Sequence, residues 1–412
     1  MNIHNTHLLK DRPRIDPLGC ISFLAGLTSA IQIKFFGQLY LGEVFLAVLG
    51  LLLIADKFIP SARSRRKNIL ENPFFIKFLI ALCISFLGLA LSDFWVNSVP
   101  RDYFRGWAKI IFLTLDVIAI GFAIERNRWN LWWLSVGLGF SILSPSIISH
   151  NLLTDWKVVY AGPVAFLVLS FMPWLGKQLL PLTLASAGIV NIVLDYRSLG
   201  LMFVIMAAIV WSKVNASQVS RKQLFKLVVA LSLSFLLLFA AYQNSQEEFS
   251  ERREYSNAAR FGGIQVAFEA IADSPILGYG SWAKSEALTE RFLDLTGVRQ
   301  RGFNTPDRVY AEQNIPAHSQ LLQSWIEGGI LGTTFFFFYG IQLVKSLRFL
   351  IAQRIYDRLF PLILFSCLSG LWHLVASPFA GSHRFTVALT VGIVCLLHSE
   401  QFKTTLAGYK IT

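Results

Sequence analysis

The residues of this 412-residue chain that could do chemistry are few and far apart. Arg197 stands in Asp195-Tyr-Arg-Ser198, Arg260 closes Asn257-Ala-Ala-Arg260, and His318 sits in Ala317-His-Ser-Gln320. Two fixed cations and one titratable base on a common surface could hold a diphosphate and take a proton from a hydroxyl. Each also has a plainer reading. An arginine at a span end anchors the chain at the interface. An arginine beside several glutamates forms a solvated ion pair. A histidine near a helix start caps or packs. Singly, none of the three decides the function. Familiar signatures do not help: G-x-x-x-x-G-K-[ST], H-E-x-x-H and G-x-S-x-G are all absent. No acidic pair at D-x-D spacing stands at a membrane edge to hold a metal.

The elements that must position these residues are membrane spans. The chain is 54% hydrophobic and only 15% charged, with a mean hydropathy of +0.53, which excludes a soluble globular domain. Apolar runs of about 18 to 22 residues recur, each long enough to cross a hydrocarbon layer of roughly 30 Å. They predict an all-α bundle of about twelve spans near 18–34, 38–59, 74–92, 108–124, 131–149, 158–174, 179–195, 199–213, 227–242, 329–350, 359–377 and 385–399. Residues 1–242 then hold spans one to nine, 243–328 form a large loop, and 329–412 hold the last three.

Net charge is +12, and its distribution points to topology rather than to nucleic acid. With the amino terminus inside, the inward connections hold Arg63 to Lys67, Arg126 with Arg128, Lys177, Lys213 with Arg221, and Lys345 with Arg348. The short outward ones hold chiefly Arg101, Arg105, Lys157, Arg197 and Arg384. That asymmetry is the positive-inside pattern. No cleavable signal is evident, so the first span reads as an anchor. Cys20, Cys83, Cys367 and Cys395 lie in apolar runs without C-x-x-C spacing and read as small core residues. The intramembrane groups Glu43, Asp116 and His373 are costly in hydrocarbon and serve either as structural partners or as a pathway.

The 243–328 segment faces outward in this topology and is too long for a structureless loop. Phe261, Ile264, Phe268 and Ile271 recur at helical spacing and predict an amphipathic helix of about four turns on the bundle or membrane surface. Pro275 and two glycines end it in Asp273-Ser-Pro-Ile-Leu-Gly-Tyr-Gly280. A second helix starts near His318, and Gly328-Gly329 hinges it into the tenth span.

The stretch from His318 to Gly332 resembles the signature of the bacterial O-antigen ligase and polymerase superfamily. That signature is a His followed by Asn, Ser or Gln, nine residues, then Gly-x-x-Gly, and His318, Ser319, Gly329 and Gly332 fill it in register. Asn257–Arg260 with Ser274–Gly280 looks like the family's second block, an Arg-bearing helix before a Pro-x-x-Gly-x-Gly turn. Asp195–Ser198 looks like its third, an Arg-Ser at an outer span end. One departure is Phe261-Gly-Gly263 directly behind Arg260, where a bend would change the reach of that arginine.

The resemblance implies a GT-C-like bundle in the bacterial inner membrane, with both termini cytoplasmic and a periplasmic site. It implies a metal-independent, inverting glycosyltransferase without a cofactor. The donor would be a glycan on undecaprenyl pyrophosphate held by Arg197 and Arg260, with His318 as general base and Ser319, Arg101, Arg105 and Arg384 as supporting groups. The acceptor would be a lipid A-core sugar (ligase) or another lipid-linked glycan (polymerase of O-antigen or exopolysaccharide). Membrane lipid is a partner and nucleic acid is not. A transporter using Glu43, Asp116 and His373 is the alternative from a different class.

Overall fold

A computed structural model of the chain describes residues 16–34, 38–58, 72–152, 155–214, 246–297, 313–352, 357–379 and 381–398. Helix α1 (Pro17–Leu27) leads through an antiparallel hairpin, β1 (Gln32–Lys34) against β2 (Gln38–Tyr40), into α2 (Leu41–Phe58). Next come α3 (Pro73–Trp95), α4 (Pro100–Arg126), α5 (Trp129–Phe140), the short α6 (Pro145–Ile148), α7 (Ala161–Phe171), α8 (Leu179–Val193) and α9 (Arg197–Val214). Two helices, α10 (Gln246–Asp273) and α11 (Glu286–Thr296), form a cap. They are followed by α12 (Gln320–Gly332), α13 (Thr334–Ala352), α14 (Phe360–Ala376) and α15 (Gly381–His398).

Helix starts follow local chemistry. Asp16 and Asn72 cap α1 and α3 through their side-chain oxygens, each with a proline next in sequence. Five of the described helical runs are long and apolar enough to cross a membrane: α3, α4, Trp156–Trp174, α9 and α13. Shorter apolar helices occupy six more of the predicted spans. Leucines and aromatics such as Leu52, Leu87 and Phe171 face outward on these helices, as lipid-facing residues of a multi-pass membrane protein would. The ninth span predicted, 227–242, lies outside the described residues.

Several boundaries differ from the sequence reading. The first span ends at Leu27 and gives way to the hairpin, because Thr28, Ser29, Gln32 and Lys34 interrupt the apolar run. The fifth stops at Phe140 and continues as a 3₁₀ turn and α6, broken at Pro145. The sixth opens with a π turn at Trp156–Tyr160.

The spans pack closely where glycine removes a side chain, as membrane helices do. A Cβ on Gly88 of α3 would meet the Gly332 backbone of α12 at 2.4 Å. One on Gly188 of α8 would approach the Gly200 carbonyl of α9 at 2.9 Å. Helix direction sorts the charges between two ends. Helix α4 begins beside the cap, where Lys284 reaches Asp102 at 2.5 Å, and finishes at the far end, near Arg128 paired with Asp357 at 2.5 Å. Helix α9 starts at Arg197, and Lys213 in its last turn donates to the Ile351 carbonyl at 3.0 Å.

The cap has its own small core, in which Val266, Ala267 and Ala270 of α10 meet Phe292 and Leu293 of α11 and Ile326 of α12. Of the four apolar positions read as one face of α10, Ile271 packs against this core while Phe261 and Phe268 are exposed, and a row of alanines and glycines fills the inner face. Small residues win the inner face because two helices crowd it.

Candidate active site at the cap end of the bundle

The Asp195-Tyr-Arg-Ser turn is tight: Tyr196 N–H donates to the Asn191 carbonyl at 2.7 Å, and Asp195 takes a left-handed φ of 58°. Aspartate tolerates that conformation better than most residues. The turn delivers Arg197 to the first position of α9, with its side chain half exposed and its Nε 3.6 Å from Asp195 Oδ1. The positive end of the helix adds to the potential there.

Helix α10 brings Arg260 to the same place. Its charge is felt on one side by the Tyr196 phenol, which burial pushes up and Arg260 pulls down, and on the other by His318. Arg260 is thus near enough for its charge to act on both Tyr196 and His318. The glycines behind it do not bend the helix, which is continuous from Gln246 to Asp273. They serve packing instead. Gly262 faces Thr296 of α11, and a Cβ on Gly263 would sit 3.0 Å from His318 Cδ2. Positions 260 and 263 share a helix face, so the imidazole rests one turn from the guanidinium.

His318 itself is half-buried and does not cap the helix behind it. That role falls to Ser319, whose Oγ accepts from Leu322 N–H at 3.3 Å and donates to the Leu374 carbonyl of α14 at 2.9 Å. Ser319 therefore acts as an anchor for the histidine. Burial, with Arg260 adding to it, holds the imidazole below its ordinary pKa. It is neutral at neutral pH and able to accept a proton.

The two other sequence blocks lock onto each other. At the hinge, Gly329 has φ 61°, and a Cβ there would overlap the Ile276 carbonyl at 1.8 Å, so only glycine fits. The 275–280 turn closes on this hinge: Tyr279 N–H donates to the Ile326 carbonyl at 2.7 Å, and Ile330 N–H to the Pro275 carbonyl at 3.1 Å. Trp325 Nε1 also donates to Pro275, at 2.9 Å. The Pro-x-x-Gly-x-Gly turn and the Gly-x-x-Gly hinge form a single clasp that sets the angle of α12, hence the place of His318.

The remaining candidates separate. Arg384 is buried in α15 and makes two 2.7 Å bonds to Glu43 of α2, with Asp116 of α4 close enough to feel both charges. This is a different location from the His318 site, and the geometry gives Arg384 a carboxylate inside the bundle. His373 shares that interior with the ring of His383, 4.7 Å away between centroids. Arg101 is exposed at the start of α4. Arg105 lies one turn further on, stacked over Trp282 at 4.8 Å. Cys367 and Cys395 are buried, whereas Cys20 and Cys83 are exposed rather than core residues.

Sequence reading passed over a second polar group beside α12. Lys109 of α4 bonds Glu327 at 2.6 Å, Gln323 donates to the same carboxylate at 2.9 Å, and Phe379 N–H donates to Gln323 Oε1 at 2.7 Å. A charge at each edge of an apolar run was the available signal. Among the described residues, no three His, Cys, Asp or Glu side chains gather in a way that could hold a metal ion.

Fold and site together define a multi-pass helical membrane protein with a basic, histidine-bearing site under a helical cap. Residues 164–337 match the family model described as O-antigen ligase, a stretch that carries Arg197, Arg260 and His318. Over that stretch the chain is similar to the O-antigen ligase family. No curated protein matches it.

Proposed function

We propose that the protein transfers a glycan from undecaprenyl pyrophosphate to a sugar hydroxyl of lipid A-core, at the periplasmic face of the inner membrane. The observation that carries this reading is Arg260, whose charge acts on both Tyr196 beside Arg197 and the imidazole of His318, which sits against Gly263 on the same helix. Arg197 and Arg260 grip the two phosphates and stabilise the charge that grows on them. The acceptor oxygen bonds to the anomeric carbon as the bond from that carbon to the pyrophosphate oxygen breaks. The electron pair leaves with the carrier, and the hydroxyl proton passes to His318. Attack opposite the leaving group inverts the anomeric centre. The leaving group is already good, so neither a metal nor a strong acid is required of the protein.

The test is transfer by the purified chain. His318→Ala should lower the rate by about 100- to 10,000-fold while protein still accumulates, and retained transfer removes the base. EDTA should leave the rate intact, and inhibition reversed by added metal overturns the metal-free scheme. A deletion strain assigns the acceptor: free lipid A-core with long glycan left on the carrier means ligase, and single repeat units on the core mean polymerase.

A further inference from the structure

Beside α12 lies a second constellation that the reaction above does not use. Helix α12 packs on α3, α10, α13 and α14, and Glu327 ties it to Lys109 of α4. At its centre is Trp282, held at φ 62°, a left-handed conformation costly for a bulky residue. Both flanks are fastened. Before it, Ser281 donates from N–H and Oγ to the buried Asp93 carboxylate at 2.6 and 2.7 Å, and Gly280 N–H donates to Ser92 Oγ at 2.8 Å. The turn seats against Gly106, where a Cβ would lie 2.0 Å from Ser281 Oγ. After it, the Ala283 carbonyl accepts Ile315 N–H at 2.9 Å, three residues before His318. Strain imposed from both sides on one exposed-edge aromatic marks a position built to present that ring.

The ring is surrounded by cations. Arg105 stacks at 4.8 Å and Lys109 stands 5.9 Å from the centroid. Lys109 is neutralised by Glu327, and nearby Lys284 by Asp102. Among the described residues Arg105 has no carboxylate, and two buried donors, Arg105 Nε and Trp282 Nε1, have no hydrogen-bond partner. Unpaired buried donors are uncommon enough to require an account. Lys109 and Glu327 also line a small cleft with Gln323, Phe336 and Phe379.

We propose that Arg105, Trp282 and the Lys109–Glu327 pair form a subsite for an oxyanion-bearing sugar of the acceptor, a phosphorylated or acidic hexose. The guanidinium stacked on Trp282 takes the anionic group, the indole N–H donates to a sugar oxygen, and the pair contributes a neutral donor–acceptor edge. The assignment to an acceptor rests on the transferase reading.

The test uses the full chain in detergent and a phosphorylated core oligosaccharide released from lipopolysaccharide by mild acid. Wild type should bind it saturably, and Arg105→Gln and Trp282→Ala should each weaken binding about 10- to 100-fold. In transfer assays the same variants should raise the acceptor KM and leave donor binding unchanged, which also shows that they fold. Removing the phosphates with hydrofluoric acid should weaken binding to wild type and make no further difference to Arg105→Gln. Unchanged binding and KM in both variants, or displacement of the oligosaccharide by phosphatidylglycerol nanodiscs, overturns the subsite while transfer stands. Binding lost in the variants, with no transfer by wild type, sinks the transferase reading and leaves the sugar site.

Discussion

Arg384 and Arg197 are the same residue in opposite settings. Arg384 has a side chain 7% exposed and makes two 2.7 Å bonds to a carboxylate that is itself sealed. Arg197 is 50% exposed, and its Nε stands 3.6 Å from Asp195 Oδ1. A buried charge must carry its counter-ion with it, whereas one at the rim can exchange a loose partner for a ligand. Exposure and the geometry of the carboxylate, rather than residue type, separate an arginine that holds the bundle from one that can hold a phosphate.

The contrast can be broken by substitution. Arg384→Ala leaves Glu43 sealed without its partner, at a cost of about 3–5 kcal/mol, and folded protein should be lost on size exclusion in detergent. Adding Glu43→Gln should recover part of it. A normal yield of Arg384→Ala would erase the distinction. Arg197→Ala should fold normally and bind the donor about 10- to 100-fold more weakly, and Arg197→Lys should restore little because an ammonium lacks the two-pronged fork. Undiminished donor binding would make Arg197 an anchor after all.

Smaller effects sharpen the site side of the comparison. Gly263→Ala places a methyl 3.0 Å from the imidazole and should lower kcat on the order of tenfold with donor affinity unchanged, since small misplacements of a base are costly. The same change at Gly262 meets Thr296 instead and should touch cap stability only. The smallest effect is in pH. In the proposed mechanism neutral His318 is the active form, and its pKa is depressed, so kcat/KM should rise with pH to a plateau along an acid limb whose midpoint lies below the ordinary 6.5. Arg260→Gln removes one cause of the depression and should move that acid limb upward; an unmoved limb would separate the two residues.

Periodicity alone located the described spans, because a run of apolar residues long enough to cross a bilayer has few other uses. It failed where a span is irregular, at the hairpin after Leu27 and the break at Pro145. It did not pick out the inner face of α10, where close packing favours glycine and alanine over Phe261 and Phe268. The glycines that looked like a flaw behind Arg260 are the floor on which His318 rests.

Amino-acid order was enough to establish a membrane bundle, a large loop before its last spans, and three short blocks with the residue types for a phosphate and a base. Those properties are local, set by hydropathy, charge and turn chemistry within a few residues. Which arginines face a ligand and which are tied to a carboxylate was decided by the tertiary structure. Glu43 and Arg384 stand 341 positions apart, and no local pattern can record that they touch. The left-handed Trp282 and the clasp of Pro275 on Gly329 are likewise products of packing, where contacts from distant segments hold conformations that neither segment would keep alone.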